Sequence, residues 1–442
     1  MKKDTSMLNS FDASRLGDLS AQEAVMIKRR NKVLGPAYRL FYQEPLHIVR
    51  GEGVYLYDQH GKPYLDAYNN VASIGHSRPE VVEAIARQAS ILNTHTRYLH
   101  ELVIDYAECL TSTFPADLSQ VMFTCTGSEA NDLALRIAKR FTGATGIIVT
   151  QLAYHGVTAS IAKISPSLGG GVPLGQHVRA VEAPDTYLFS EEDIGARFAK
   201  SVGDAIADLK RHGIKPAALI VDSIFSSDGV YSDPKGFLKQ AVNLIRAEGG
   251  IYIADEVQSG FARTGSAMWG FQRHGLTPDI VTIGKPMGNG HPIAGLVAKP
   301  EVLQAFGDEA RYFNTFGGNP VSCAAAMATL RVIQNDKLQE NSARIGALIK
   351  TGFRALAEKI DLIGDVRGDG LFIGVELVCD RKTKEAAKGI ADQVVNGMRE
   401  RGVLISATGP RGNVLKIRPL LTFNEAHAQQ LLTAVTDSLE SL

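Results

Sequence analysis

Pro278-Asp279-Ile280-Val281-Thr282-Ile283-Gly284-Lys285 is a short β-branched run that ends in a lysine and enters a turn-rich segment, Pro286-Met287-Gly288-Asn289-Gly290-His291-Pro292. Upstream, Ile251-Tyr252-Ile253-Ala254-Asp255 has the same form and ends in an aspartate. Compact apolar runs of this length suit strands covered on both faces, the condition of a parallel sheet. Polar residues at the ends of two such strands can face one cleft, at the edge where open α/β sheets hold their ligands.

Working outward, β-rich runs at Gln120–Cys125, Gly146–Thr150 and Ala217–Asp222 precede these two. Helical spacing fills the gaps at Ser128–Phe141, Glu191–His212, Pro234–Glu248 and Pro320–Ile333. Strands alternating with helices imply crossover units and a mostly parallel sheet. The expectation is an α/β protein with a large domain over residues 67–334 and a smaller α+β domain over 335–442. Residues 21–66, with a hairpin signal around Asp58-Gln59-His60-Gly61-Lys62, are expected to pack with the small domain. Residues 1–20 read as a flexible leader.

Composition narrows the function classes. The 442 residues are 45% hydrophobic and 21% charged, enough for a sizeable core, and the formal net charge is +0. That balance gives no reason to expect nucleic acid or an anionic membrane. No apolar run approaches the length of a span, and the apolar stretch of a signal peptide does not follow Lys2 and Lys3, so a cytoplasmic protein is expected. Cys109, Cys125, Cys323 and Cys379 lie far apart, with no paired spacing for a metal. No metal site is expected.

Four features bear on the cleft. Thr126-Gly127-Ser128-Glu129-Ala130-Asn131 follows a strand and opens a helix, so its free N–H groups and the Ser128 hydroxyl could hold an anion; an ordinary capped helix is the plainer reading. Tyr154-His155-Gly156 follows the strand at Gly146–Thr150, where an aromatic can stack on a planar ligand or simply cap the core. Asp255 needs a cationic partner if it is buried and ionised. A protonated pyridine nitrogen is such a partner; a metal or a helix cap are alternatives. Lys285 is either an ordinary turn lysine or an amine whose pKa is lowered so that it can attack an aldehyde. Together they suggest a pyridoxal phosphate site.

Ile253 to Gly265, containing Asp255-Glu256-Val257-Gln258-Ser259-Gly260, resembles the signature of class III aminotransferases. Ile280 to Pro292 resembles that family's lysine loop, and the Thr126–Asn131, Tyr154–Gly156 and Thr315-Phe316-Gly317-Gly318-Asn319-Pro320 motifs follow the family's order from about Leu34 to the end. The resemblance implies a fold-type I enzyme, dependent on pyridoxal phosphate and acting as a homodimer with shared active sites. It implies that Lys285 carries the cofactor as a Schiff base and Asp255 pairs with the pyridinium nitrogen. Gln258 would lie near the ring hydroxyl, Gly127 and Ser128 at the phosphate, and Tyr154, with His155 beside it, at the ring. Thr315 would reach the neighbouring subunit's cofactor phosphate. The activity implied is ping-pong transfer of an amino group from a small-molecule donor to a keto acceptor.

Two departures qualify this. Many family members carry Glu-Pro where this chain has Asp222-Ser223, and a substrate-binding Arg where it has Lys416, with Arg418 two residues on. Residues two apart on a strand share a face, so Lys416 and Arg418 could serve one anion, or each a structural salt bridge. Asn69-Asn70-Val71-Ala72, the Asn93–His100 segment and the Lys285 loop also resemble the ethanolamine-phosphate phospho-lyase and alanine-glyoxylate aminotransferase 2-like branch. Asn70, Lys416 and Arg418 become the candidate substrate residues. Transamination is the expectation, since it is the commoner fate of the scaffold; phosphate elimination from a phosphorylated amino alcohol is the alternative. A cofactor-binding regulator without turnover is a third reading.

Overall fold

The computed structural model describes residues 8–442. After the helix Ala21–Val33 come three antiparallel strands, β1 (Ile48–Glu52), β2 (Tyr55–Asp58) and β3 (Pro63–Asp66). A seven-stranded sheet follows, built from β4 (Gln120–Thr124), β5 (Gly146–Thr150), β6 (Val178–Val181), β7 (Pro216–Asp222), β8 (Ile251–Asp255), β9 (Ile280–Ile283) and β10 (Ala294–Ala298), in the order β4-β10-β9-β8-β7-β5-β6. Only β10 runs against its neighbours. The C-terminal part adds β11 (Ile363–Asp369), β12 (Phe372–Asp380), β13 (Glu385–Ala386), β14 (Val403–Leu404), β15 (Ser406–Thr408) and β16 (Val414–Ile417).

Period-two alternation decides what reaches the site. Ile147 and Val149, Ala218 and Ile220, and Ile251 and Ile253 enter one core, beneath the helix Gly127–Thr142. Their neighbours Ile148, Leu219, Val221, Tyr252 and Ala254 enter the other, beneath Ile194–Arg211 and Lys239–Ala247. Both faces are therefore dry, which explains why these strands lack polar alternation. The same parity carries Asp222, Asp255 and Thr282 onto the first face. They are direct partners in the ladder, Asp222 opposite Asp255 and Asp255 opposite Thr282.

Departures from the sequence reading have local causes. The helix expected from Pro234 begins at Lys239, because Gly236 adopts φ +86 and breaks the first turn. Strand β10 was not foreseen: Ala294-Gly295-Leu296-Val297-Ala298 has weak strand propensity, and it is a strand because it fills the space between β4 and β9. A side chain at Gly295 would meet the Met122 carbonyl at 2.7 Å.

The flexible leader needs correction over its described part. Asn9 is buried, donates to Asp392 at 3.3 Å and accepts from the Ala407 N–H at 3.0 Å, so this segment is tied to the C-terminal region. Residues 1–7 of that expectation lie outside the described residues. Strand β3 pairs parallel with β14, Leu65 opposite Val403, so the N-terminal strands share a sheet with the C-terminal part. Among the described residues no helix is long and apolar enough to cross a membrane, and no cluster of His, Cys, Asp and Glu could hold a metal ion.

The two parts of the chain meet in a close backbone contact. Arg263 is fully buried and donates to the carbonyls of Leu371 (3.2 Å) and Pro419. Its own carbonyl accepts from Ser342 Oγ at 2.8 Å and the Leu371 N–H at 3.1 Å. Helix Leu338–Ala357 comes so near that a Cβ at Gly346 would overlap the Gly370 carbonyl. Gly346→Ala is expected to lower stability by about 1–3 kcal/mol, the usual cost of overpacking, read as an earlier denaturant midpoint. An unchanged midpoint would show that this contact yields freely.

Candidate active site

Gly127, Ser128, Asn131, Tyr154, His155, Gly156, Asp222, Asp255, Val257, Gln258 and Lys285 line one cavity of ≈ 100 Å³ at the C-terminal ends of β5, β7, β8 and β9. A larger hollow of ≈ 480 Å³ between Ala107 and Phe306 carries one acid, Glu108, and no base, so it offers little chemistry.

Asp255 is 3% exposed. One oxygen, Oδ2, lies 2.7 Å from His155 Nδ1 and accepts from Asn131 Nδ2 at 3.0 Å. The other, Oδ1, accepts the Val257 N–H at 3.1 Å. A carboxylate can accept about four hydrogen bonds, so Oδ1 retains capacity for one more donor. His155 itself is buried behind the carboxylate, with Nε2 unpartnered.

Lys285 follows β9, and its Nζ lies 5.8 Å from the centroid of the Tyr154 ring. Part of the side chain is open to the cavity, yet protein surrounds it. Burial lowers its pKa from the ordinary lysine value, and Arg418 adds to this, while Asp255 and Asp222 oppose it. The amine is thereby biased toward the neutral, nucleophilic form.

Gly127 and Ser128 open the helix Gly127–Thr142, capped by Thr126 in a reciprocal pair with Glu129. A Cβ on Gly127 would meet both Val257 methyls at 3.1 Å, and one on Gly156, at φ +133, would overlap Ser128 Oγ. The glycines thus let three backbone segments converge around leading N–H groups, an arrangement that attracts an anion.

On the far side, Lys416 is the third residue of β16 and Arg418 lies just beyond it; both are largely buried. Arg418 Nη1 lies 3.5 Å from Gln258 Oε1 and Nη2 3.4 Å from Ser406 Oγ, while Nε has no partner. Lys416 Nζ lies 5.4 Å from the Phe372 ring centroid. Among the described residues neither forms an ion pair within 4.0 Å. Asp222 is occupied elsewhere, accepting the Ile224 and Ser226 N–H groups at 3.1 Å each. Burial and Arg418 hold the Lys416 pKa well below its usual value, against the pull of Asp222 and Asp228. Asp228 is tied to Thr150 Oγ1 (2.7 Å) and the Leu152 N–H (3.0 Å), and burial pushes its pKa up to about 6.

Of the residues singled out from sequence, Gly127, Ser128, Tyr154, His155, Asp255, Gln258 and Lys285 thus line one cavity. Lys416 and Arg418 stand at its side, and Asn70 joins it through Nδ2, which donates to the Gln258 carbonyl at 3.0 Å. Thr315 is exposed and does not line the cavity of its own chain. Sequence reasoning did not assign Asn131, Thr282, Asp228 or Tyr68, whose ring centroid lies 4.8 Å from Arg418 Cζ. Asn131 stood inside a quoted motif, but nothing local signals that its amide turns toward a strand distant in sequence.

A family model described as Aminotransferase class-III matches residues 41–439. The chain is 42% identical over 429 residues to an alanine–glyoxylate aminotransferase 2-like protein of Drosophila melanogaster, covering 94% of this chain and 87% of that one. It is 36% identical to an ethanolamine-phosphate phospho-lyase homolog of Caenorhabditis elegans, covering 97% and 95%. Among solved structures, a phospholyase from Arthrobacter in complex with phosphoethanolamine superposes with a TM-score of 0.92 at 44% identity, covering 94% of this chain and all of that one.

These similarities imply pyridoxal 5'-phosphate, and the cavity fits it: an anion cup at Gly127 and Ser128, free capacity on Asp255 Oδ1, and a lysine amine across from Tyr154. Borohydride treatment of the protein loaded with the cofactor is expected to fix it on the peptide bearing Lys285; a label elsewhere would refute the assignment. Asp255→Asn should weaken cofactor binding by about 1.5–3 kcal/mol, roughly ten- to a hundredfold, the usual value of a hydrogen bond to a charged group.

Proposed function

The chain belongs to the class III aminotransferase family, and from that premise we propose that it is a phospho-lyase acting on a small phosphorylated amino alcohol. The observation carrying this reading is the buried pair Lys416 and Arg418, for which the described residues offer no carboxylate within 4.0 Å. Asp222 and Asp228 act on Lys416, and Asp66 on Arg418, only from beyond ion-pair distance, so burial still disfavours both cations, and a phosphate dianion in direct contact would offset that cost. The similarity to a phospholyase bound to phosphoethanolamine supports the same reading.

When bound, pyridoxal phosphate supplies an aldehyde that captures the substrate amine and a ring that withdraws electrons from the adjacent carbon. Asp255, held by His155 and Asn131, keeps a negative charge at the ring nitrogen. With the cofactor bound, the Lys285 amine would be the base that accepts the proton from the substrate Cα. Lys416 and Arg418 would hold the phosphate and stabilise the negative charge that its bridging oxygen takes on as the carbon–oxygen bond breaks and that bond's electron pair leaves with the phosphate. Inorganic phosphate leaves in that step; the remaining two-carbon fragment, reprotonated and then taking up water, gives an aldehyde and ammonia.

Exposed Leu99 (96%), Ile91 (71%) and Phe316 (68%), beside the exposed Thr315, support a homodimer in which Thr315 serves the partner subunit's cofactor phosphate. Amino transfer is the rival reading. It uses the same Lys285 and Asp255, and a similar protein bearing an aminotransferase name favours it.

Loaded protein given phosphoethanolamine without a keto acid should release inorganic phosphate over many turnovers. If none is released, while an amino donor converts the cofactor to its amine form and pyruvate restores it, the lyase reading fails. Lys416→Met should raise the KM for phosphoethanolamine about ten- to a hundredfold, from loss of one charged hydrogen bond of about 1.5–3 kcal/mol. Because the Lys416 pKa lies below its ordinary value, the ammonium is lost at a lower pH than for a free lysine. The profile of kcat/KM should therefore fall on its alkaline side sooner than in Lys416→Arg, which stays cationic. Superimposable alkaline limbs would show that Lys416 does not bind the phosphate.

A further inference from the structure

Thr282 and Asn131 are both buried, and the mechanism above gives Thr282 no task. Thr282 lies beside Asp255 in the ladder, on the face covered by the helix that carries Asn131. The Asn131 amide bridges the two: Nδ2 donates to Asp255 Oδ2 at 3.0 Å and to the His155 carbonyl at 2.8 Å, and Oδ1 accepts from Thr282 Oγ1 at 2.7 Å. These contacts permit only one orientation. The His155 backbone carbonyl can only accept, so it must meet the NH₂ end, which also reaches Asp255. The carbonyl end then faces Thr282, whose hydroxyl must be the donor.

We propose that Thr282 and Asn131 are positioning residues that act through Asp255 on the ring nitrogen of pyridoxal phosphate. Thr282 anchors the amide, and the amide occupies one acceptor site of Oδ2 while His155 takes another. With Val257 on Oδ1, the carboxylate cannot rotate without breaking three contacts. Its remaining lone pair is aimed at the ring nitrogen before the cofactor arrives, so no reorganisation is needed on binding. Without the Thr282 hydroxyl, Asn131 Oδ1 becomes a buried acceptor with no partner, and the amide is driven to rotate away from Asp255. The inference rests on the cofactor reading and adds two residues to it.

The test separates action on the ring nitrogen from general disruption of the pocket. Dissociation constants are measured by reconstituting the cofactor-free protein with pyridoxal phosphate and with its deaza analogue, in which carbon replaces the ring nitrogen. The unsubstituted protein should prefer pyridoxal phosphate. In Thr282→Val and Asn131→Ala that preference should fall about tenfold, as expected on losing a supporting hydrogen bond. Thr282→Ser, which keeps the hydroxyl, should retain it. The double variant should be no worse than Asn131→Ala alone, since the two act in series.

Equal weakening of both ligands in Thr282→Val, or a loss in Thr282→Ser as large as that in Thr282→Val, would overturn the proposal. If Thr282→Val does not fold, the preference in Asn131→Ala decides: unchanged, it refutes the inference; reduced with Thr282→Ser intact, it upholds it. Failure of the unsubstituted protein to bind pyridoxal phosphate would instead defeat the cofactor assignment, and this inference with it.

Discussion

A carboxylate shut away from water must be given donors, and much of the large domain is arranged to supply them to Asp255. Strand β8 delivers it to the edge of the sheet, and the parity of that strand aims it beneath the helix Gly127–Thr142. The helix returns an amide, the loop after β5 returns an imidazole, and the chain beyond β8 returns a backbone N–H. Each donor belongs to a different element. The strand and helix packing that looks like ordinary α/β construction is therefore also what makes an ionised side chain affordable at that depth.

The opposite wall of the site obeys another rule. Lys416 and Arg418 come from the small C-terminal sheet, and their nearest neighbours are aromatic faces and neutral oxygens, with Asp222, Asp228 and Asp66 beyond ion-pair distance. Asp222 accepts one backbone N–H of its own turn on each oxygen, and it acts on Lys416 only from beyond ion-pair distance. The large domain thus holds balanced charge, and the small domain holds charge awaiting a ligand. Arg263 fastens one to the other: its guanidinium donates to the carbonyl of Pro419, immediately after Arg418, and its own carbonyl accepts the Leu371 N–H, so side-chain and backbone contacts together set the distance between the two halves of the site.

What the sequence disclosed follows from how local each signal is. Gly146–Thr150 and Ile251–Asp255 were read with the bounds they have in the structure, because a continuous apolar run between turn residues is self-contained information. Lys285 and Asp255 stood out because a strand end with a charged residue needs no knowledge of neighbours. Strand β10 lacks β-branched residues at most positions and owes its form to β4 and β9. Asn9 looked like part of a loose leader, since its partners Asp392 and Ala407 lie almost a whole chain away. Thr282 was quoted in the opening run and passed over: a threonine in a strand is unremarked until the amide facing it is known. The expectation of transamination rests on the scaffold's commoner use; that no carboxylate among the described residues comes within 4.0 Å of Lys416 or Arg418 is invisible in one dimension, and it favours phosphate.

The pairing of β3 with β14 has a consequence for the order of assembly. Leu65 and Val403 meet across most of the chain, so the N-terminal strands have no completed sheet to join until the last residues have been made. The seven-stranded sheet, by contrast, draws only on Gln120 to Ala298. During synthesis the half of the site that receives the cofactor can therefore be built first, while contacts of such long range close last. The wall carrying Lys416 and Arg418 arrives with that final closure, so the growing chain can acquire its cofactor pocket before it has a place for a substrate's phosphate.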